Sequence, residues 1–159
     1  MKSIAHSALY FLIFSTIAST AWTTESYLPN TAAAHMEKAP LIEIRNAKRV
    51  FPGILSGGQP TNAQLKEAKT KGFKTIINLR LIQETRGSEE VSTVSKLGMN
   101  YIHIPVSGAA GITQQNSQAL IQALANNNAY PVLIHCASGN RVGALFALDA
   151  ALRKKLPIE

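Results

Sequence analysis

Pro131-Val-Leu-Ile-His135-Cys-Ala-Ser-Gly-Asn140-Arg-Val-Gly-Ala-Leu145-Phe146 holds an apolar run, a loop of small residues and the opening of an apolar helix. Pro131 to Ile134 has the length and composition of a buried strand, and from about Arg141 the residues Leu145, Phe146 and Leu148 return at helical spacing. A short turn running from a strand into a helix N-terminus gathers backbone N–H groups around one point and adds the positive end of the helix dipole. That makes a site for a tetrahedral anion. The cradle would be Ala137, Ser138, Gly139 and Asn140, with Gly139 supplying the backbone freedom the turn requires. Arg141 can fork two N–H bonds onto the oxygens of the anion.

Cys136 is the only cysteine in the chain. A lone cysteine is either a small buried hydrophobe or a reactive thiol, and the neighbours of this one favour the thiol. The field that attracts an anion also stabilises a thiolate, so Cys136 is the candidate nucleophile. On the bland reading, Cys136 and Arg141 merely bracket a strand-to-helix turn.

Upstream, the same alternation of strand and helix recurs. Leu41-Ile-Glu-Ile-Arg45 alternates weakly and, with Ile54-Leu55 leading into Ser56-Gly-Gly-Gln-Pro60, suits a short hairpin. Thr61 with Gln64 three residues later is a capping-box pattern for a helix over 62–71, and Gly72 occupies the left-handed stop position. Phe73 to Leu79 reads as a strand, 80–88 as a polar loop, and Glu89 to Leu97 as a helix closed by Gly98. Tyr101 to Val106 is a further strand, followed by the flexible Ser107-Gly-Ala-Ala-Gly111. Thr113 then caps a helix to about Ala125 that turns Leu120, Ile121 and Leu124 inward. The expectation is an α/β three-layer sandwich, with a mostly parallel central sheet flanked by helices and a ligand site at the carboxyl ends of the strands.

At 159 residues the chain has room for one such domain. Its organisation reads as a secretory signal over 1–22, a spacer over 23–40 and the domain over 41–159. Lys2, the apolar run Ala8 to Ala18 and the small residues Ser19, Thr20 and Ala21 follow the order of a cleaved signal. The run is short for a membrane span, which leaves an uncleaved anchor as the alternative, and no cysteine follows it for lipid attachment. A periplasmic or secreted protein with no stable membrane insertion after signal cleavage is expected. The net charge of +7 favours anionic partners. Nucleic acid is disfavoured, because Arg153, Lys154 and Lys155 form the only tight basic run and no stacking aromatics are interleaved.

From about Asn46 to Leu152 the chain resembles the bacterial dual-specificity-phosphatase-like domain that also stands at the front of beta-lactamase-hydrolase-like fusion proteins. The stretches that carry the resemblance are Phe51 to Thr61, Gly72 to Arg80, Tyr101 to Val106 and the Cys136 loop. It implies a phosphotyrosine-phosphatase-like fold and hydrolysis of phosphomonoesters through a cysteinyl-phosphate on Cys136. Arg141 would be the phosphate clamp and His135 would orient the loop through its ring N–H. No cofactor and no metal are implied, and the substrate would be a phosphorylated protein or a small phosphate ester.

Three departures from that pattern matter. Four residues separate Cys136 from Arg141, one fewer than cysteine phosphatases ordinarily place there. This tighter ring resembles the persulfide loop of rhodanese sulfurtransferases, which makes sulfur transfer through a Cys136 persulfide the alternative; a non-catalytic anion-binding or redox module is a further one. Val142 stands where a Ser or Thr usually steadies the leaving thiolate. The Asp that usually protonates the leaving oxygen is missing from 107–115. Glu84, Glu89 and Glu90 are the candidate replacement acids, although acidic residues at a helix start ordinarily complement the dipole. His103 reads as a structural histidine, with no second His near enough for a metal pair. Asn78 and the turn from Ser56 to Thr61 either support the cradle from behind or serve turn chemistry alone.

Overall fold

The structure is a computed structural model and describes residues 39–154. The signal expected over 1–22 and the spacer, apart from Ala39 and Pro40, lie outside the described residues. Among the described residues, four α-helices pack on a five-stranded mixed sheet of order β1-β2-β5-β3-β4. The strands are β1 (Lys48–Phe51), β2 (Ile54–Gly57), β3 (Thr75–Asn78), β4 (Asn100–His103) and β5 (Val132–His135). The helices are α1 (Asn62–Thr70), α2 (Glu90–Lys96), α3 (Gln114–Leu124) and α4 (Asn140–Lys154). Only β1 runs antiparallel, paired to β2; β2, β5, β3 and β4 are mutually parallel.

The period of two along each strand divides the core between the two faces. Ile54, Ile77, Val132 and Ile134 join Leu120 and Leu124 of α3 and Val142, Leu145 and Phe146 of α4 on one side. Leu55, Ile76 and Leu133 meet Leu65 and Ala68 of α1 and Val94 of α2 on the other. This is the expected three-layer α/β sandwich, and its central strands β2, β3 and β5 are buried along their length.

Both marked ends of α1 form as the sequence requires. Thr61 Oγ1 accepts the Gln64 N–H at 3.2 Å, Gln64 Oε1 accepts the Thr61 N–H at 2.8 Å, and Gly72 takes φ +87° just past the helix. Thr61→Ala is expected to lower the unfolding free energy by about 1 kcal/mol, read as a shift in the urea midpoint at constant slope.

The first strand departs from expectation. Leu41 to Arg45 is not in the sheet; the hairpin partner of β2 is Lys48–Phe51, with Lys48 opposite Ser56 and an irregularity between Arg49 and Phe51. The alternation read in the sequence is nonetheless real as burial, because Ile42 and Ile44 are buried and Leu41, Glu43 and Arg45 are exposed. The Ile44 N–H bonds to Ile42 O and the Ala47 N–H to Ile44 O, so the backbone turns here, and only Arg45 O meets the end of β2, accepting the Gly58 N–H at 2.7 Å. Packing reaches back to Ala39, which is buried beside Ile42 and whose carbonyl accepts from Arg49 Nε at 2.8 Å. Within 80–88, read as a loop, Ile82–Thr85 forms one 3₁₀ turn.

Candidate active site

Register places Gly57, Asn78, His103 and His135 side by side at the carboxyl ends of the four parallel strands. One residue beyond, the alternation of β5 sends His135 toward the α1 and α2 face and Cys136 into the core cluster under α3 and α4, where it is 1% exposed. The loop then turns tightly around the sulfur. Gly139, at φ +91°, donates its N–H to Cys136 Sγ at 3.0 Å, and α4 begins at Asn140. The first-turn N–H groups of this helix, which starts four residues after Cys136, have no preceding turn to satisfy them.

The hairpin supports this loop from behind. Cys136 N–H donates to Gly57 O at 3.3 Å, Gln59 N–H to Ala137 O at 3.5 Å, and Asn46 Nδ2 to Ser138 O at 2.9 Å. Little room is left for a side chain at either hairpin glycine. A Cβ on Gly57 would lie 2.2 Å from Ile44 Cδ1, and one on Gly58 would lie 3.0 Å from Ala137 O.

Arg141 rises from the first turn of α4 and meets Glu84, which the 3₁₀ turn brings back over the sheet end. Nη1 and Nη2 bind Glu84 Oε2 and Oε1 at 2.8 and 2.7 Å, and Nη1 also reaches Leu79 O at 3.2 Å. Of the five guanidinium N–H groups, these bonds take both on Nη1 and one on Nη2. The Nε and second Nη2 protons are left as a forked edge for an anion. The hydrogen bonds from Arg141 hold the Glu84 carboxyl down at about 2 against the opposing push of burial, with help from the Leu81 N–H. The same pairing raises Arg141 further. Glu84 is therefore a fixed carboxylate and counter-ion, with no proton to give near neutral pH.

The other two acid candidates occupy different settings. Glu90, 2% exposed, binds His135 Nε2 through Oε1 at 2.6 Å, and its Oε2 accepts from Gln59 Nε2 at 2.7 Å and Asn78 Nδ2 at 3.3 Å. Burial pushes its carboxyl up, but the bond and charge of His135, with Gln59 and Arg80, outweigh that and leave it below the ordinary range. Glu89 is exposed and meets Asn62 Nδ2 at 3.2 Å. The ring of His135 thus reaches the start of α2, and its Nδ1 is buried with no partner. His103 Nε2 pairs with Arg80 O at 2.7 Å, a structural contact.

Arg141 lines a cavity of about 340 Å³ with Gly108, Ala109, Ile112, Ser138, Asn140 and Ala144. It carries no carboxylate. Asp149, the one aspartate of the chain, lies two turns along α4 from Arg141 and pairs with Arg153 at 2.8 Å. No group of three or more His, Cys, Asp or Glu residues suited to a metal occurs among the described residues. Two polar residues at this sheet end gave no clear signal in the sequence. Gln59 read as part of a turn that either supports the cradle or serves turn chemistry alone, and Arg80 as the start of a loop, yet Arg80 Nη1 donates to Gln59 Oε1 at 2.6 Å and its Nη2 to Glu84 O.

Comparison with known proteins points the same way. The family model described as DSP-PTPase phosphatase fused to NAD+ kinase matches residues 25–153. The beta-lactamase hydrolase-like protein of Agrobacterium fabrum is 36% identical over 110 residues, 67% of this chain and 25% of that protein. Its counterpart in Xylella fastidiosa is 32% identical over 99 residues, covering 60% and 22%. This chain thus spans about a quarter of the length of these relatives. Among solved structures, a DUF442 protein of Shewanella putrefaciens described as a candidate phosphatase superposes with TM-score 0.58 at 26% identity, covering 72% of this chain and 76% of that one. The core catalytic domain of the PP-IP phosphatase Siw14 of S. cerevisiae shares the fold, with TM-score 0.59 at 22% identity over 72% and 70% of the two chains.

Proposed function

The chain belongs to the family of DSP-PTPase phosphatase domains described as fused to NAD+ kinase, and on that premise we propose that it hydrolyses phosphomonoesters through a cysteinyl-phosphate on Cys136. One observation carries this reading. The Cys136 sulfur sits at a strand end, takes the Gly139 N–H at 3.0 Å, and comes four residues before the start of a fifteen-residue helix. Sγ attacks phosphorus, the ester P–O bond breaks, and the alkoxide leaves with the electron pair of that bond and takes its proton from water. The loop N–H groups from Ala137 to Asn140 and the open edge of Arg141 stabilise the charge on the equatorial oxygens. Water then attacks phosphorus, which releases inorganic phosphate and restores the thiol. The substrate is a phosphorylated protein or a small phosphate ester, and the N-terminal segment supports a periplasmic or secreted location.

The test is steady-state phosphate release from p-nitrophenyl phosphate over pH 5 to 8, with thiosulfate-to-cyanide sulfur transfer run in parallel. The four-residue spacing favours the sulfurtransferase alternative, and sulfur transfer without phosphate release would establish that one instead.

The carboxylate-free cavity makes a further prediction. A positioned acid contributes roughly a hundredfold or more, and most for a basic leaving oxygen. Specific activity is therefore expected to fall at least about a hundredfold from p-nitrophenyl phosphate to an alkyl ester such as glycerol phosphate. Comparable kcat/KM for the two esters would mean that a proton donor does reach the leaving oxygen.

A further inference from the structure

Gln59 bridges two groups of opposite charge. Its Nε2 donates to Glu90 Oε2 at 2.7 Å, and its Oε1 accepts from Arg80 Nη1 at 2.6 Å. Neither partner can exchange roles, because a guanidinium only donates and a carboxylate only accepts. The amide is thereby locked in one orientation. Arg80 is fixed at its other end as well: its N–H donates to Asn78 Oδ1 at 2.8 Å, and its Nη2 donates to the carbonyl of Glu84. Glu84 in turn grips Arg141 with both carboxylate oxygens. An unbroken line of hydrogen bonds therefore runs from His135, beside the nucleophile, through Glu90, Gln59, Arg80 and Glu84 to Arg141. The Gln59 N–H also touches the loop itself, at Ala137 O.

We propose that Gln59 is a positioning residue that fixes the turn carrying Glu84, and through it the anion-binding edge of Arg141, relative to the loop held by β5. This rests on the reading of the Cys136 loop as a phosphate site. A bridge of this kind makes clamp and cradle one unit, so that a phosphate meets both already aligned. Gln59 touches neither the phosphate nor the thiol.

The test is a double-mutant cycle on the affinity of the full chain for inorganic phosphate, read by calorimetry, with melting temperatures measured on the same samples. Gln59→Met removes both side-chain hydrogen bonds at similar volume and is expected to weaken phosphate binding on the order of tenfold. In a Glu84→Gln background, where the bidentate grip is already lost, the same substitution is expected to change affinity by less than about twofold. Arg80→Met, which cuts the line one step further on, is expected to reproduce the effect of Gln59→Met. An equal loss in both backgrounds overturns the proposal, as does a lowered melting temperature with unchanged affinity, or an Arg80→Met variant that binds like the parent. Those results leave the phosphatase reading standing. A parent chain that neither binds phosphate nor hydrolyses p-nitrophenyl phosphate removes both.

Discussion

Replacing Cys136 by serine is expected to cut hydrolysis of p-nitrophenyl phosphate on the order of 10⁴-fold or more, while inorganic phosphate still binds. The two outcomes separate because the groups that hold an anion are distinct from the group that attacks it. On the proposed reading the anion is met by backbone N–H groups of the loop and by Arg141, and a serine disturbs neither. Its hydroxyl can still accept the Gly139 N–H that now lies 3.0 Å from Sγ. What is lost is the sulfur nucleophile, since a serine hydroxyl is a far weaker attacking group at neutral pH. Mass spectrometry of acid-quenched protein is expected to show one added phosphoryl group on the parent chain during turnover and none on Cys136→Ser. Undiminished phosphate release by the serine variant would place the chemistry elsewhere, and a persulfide in place of the phosphoryl group would establish sulfur transfer.

Arg141→Lys is expected to reduce kcat/KM by about 10² to 10³-fold. Lysine keeps the charge but offers a point instead of a planar fork, so it cannot hold Glu84 with one edge and an anion with the other. Glu84→Gln, which keeps the fork and weakens its anchor, is expected to cost less than Arg141→Lys. An equal loss would mean that Glu84 does more than hold the arginine. The pH dependence has a defined sign. Glu84 titrates at about 2 in the fold against 4.5 ordinarily, so it binds protons less readily folded than unfolded. Its contribution to stability is complete above about pH 4.5 and fades as pH falls toward 2. The pair with Arg141 is therefore intact throughout pH 5 to 8, and any acidic limb in that range reports another group.

Asn78 and Gln59 show how far side-chain chemistry escapes a linear reading. Each sits where the sequence suggests turn or cradle support, and each proves to be a junction for charged residues from elsewhere in the chain. Asn78 holds Glu90, Tyr101 and the backbone of Arg80, at 3.3, 2.9 and 2.8 Å. Glu90 and Glu84, alike in sequence as acidic residues after β3, part company for the same reason. One is buried on a histidine forty-five positions away, and the other is clamped by an arginine fifty-seven positions away. The exposed Glu89 between them shares neither contact.

The layered α/β plan, the capped ends of α1, and the strand, loop and helix around Cys136 follow from the sequence alone. Each depends on local quantities: periodicity of apolar residues, a hydroxyl at a helix start, a glycine where φ must be positive. Three things were decided only by tertiary structure. The edge strand moved from Leu41–Arg45 to Lys48–Phe51, because burial and ladder pairing are separate demands and only the second makes a strand. The partners of Arg141, His135 and Gln59 were set by parallel register, which brings the ends of β2, β3, β4 and β5 into one row. The charge state of Glu84 followed from that placement. A carboxyl is titrated by what lies within a few ångströms of it, and folding alone determines those neighbours.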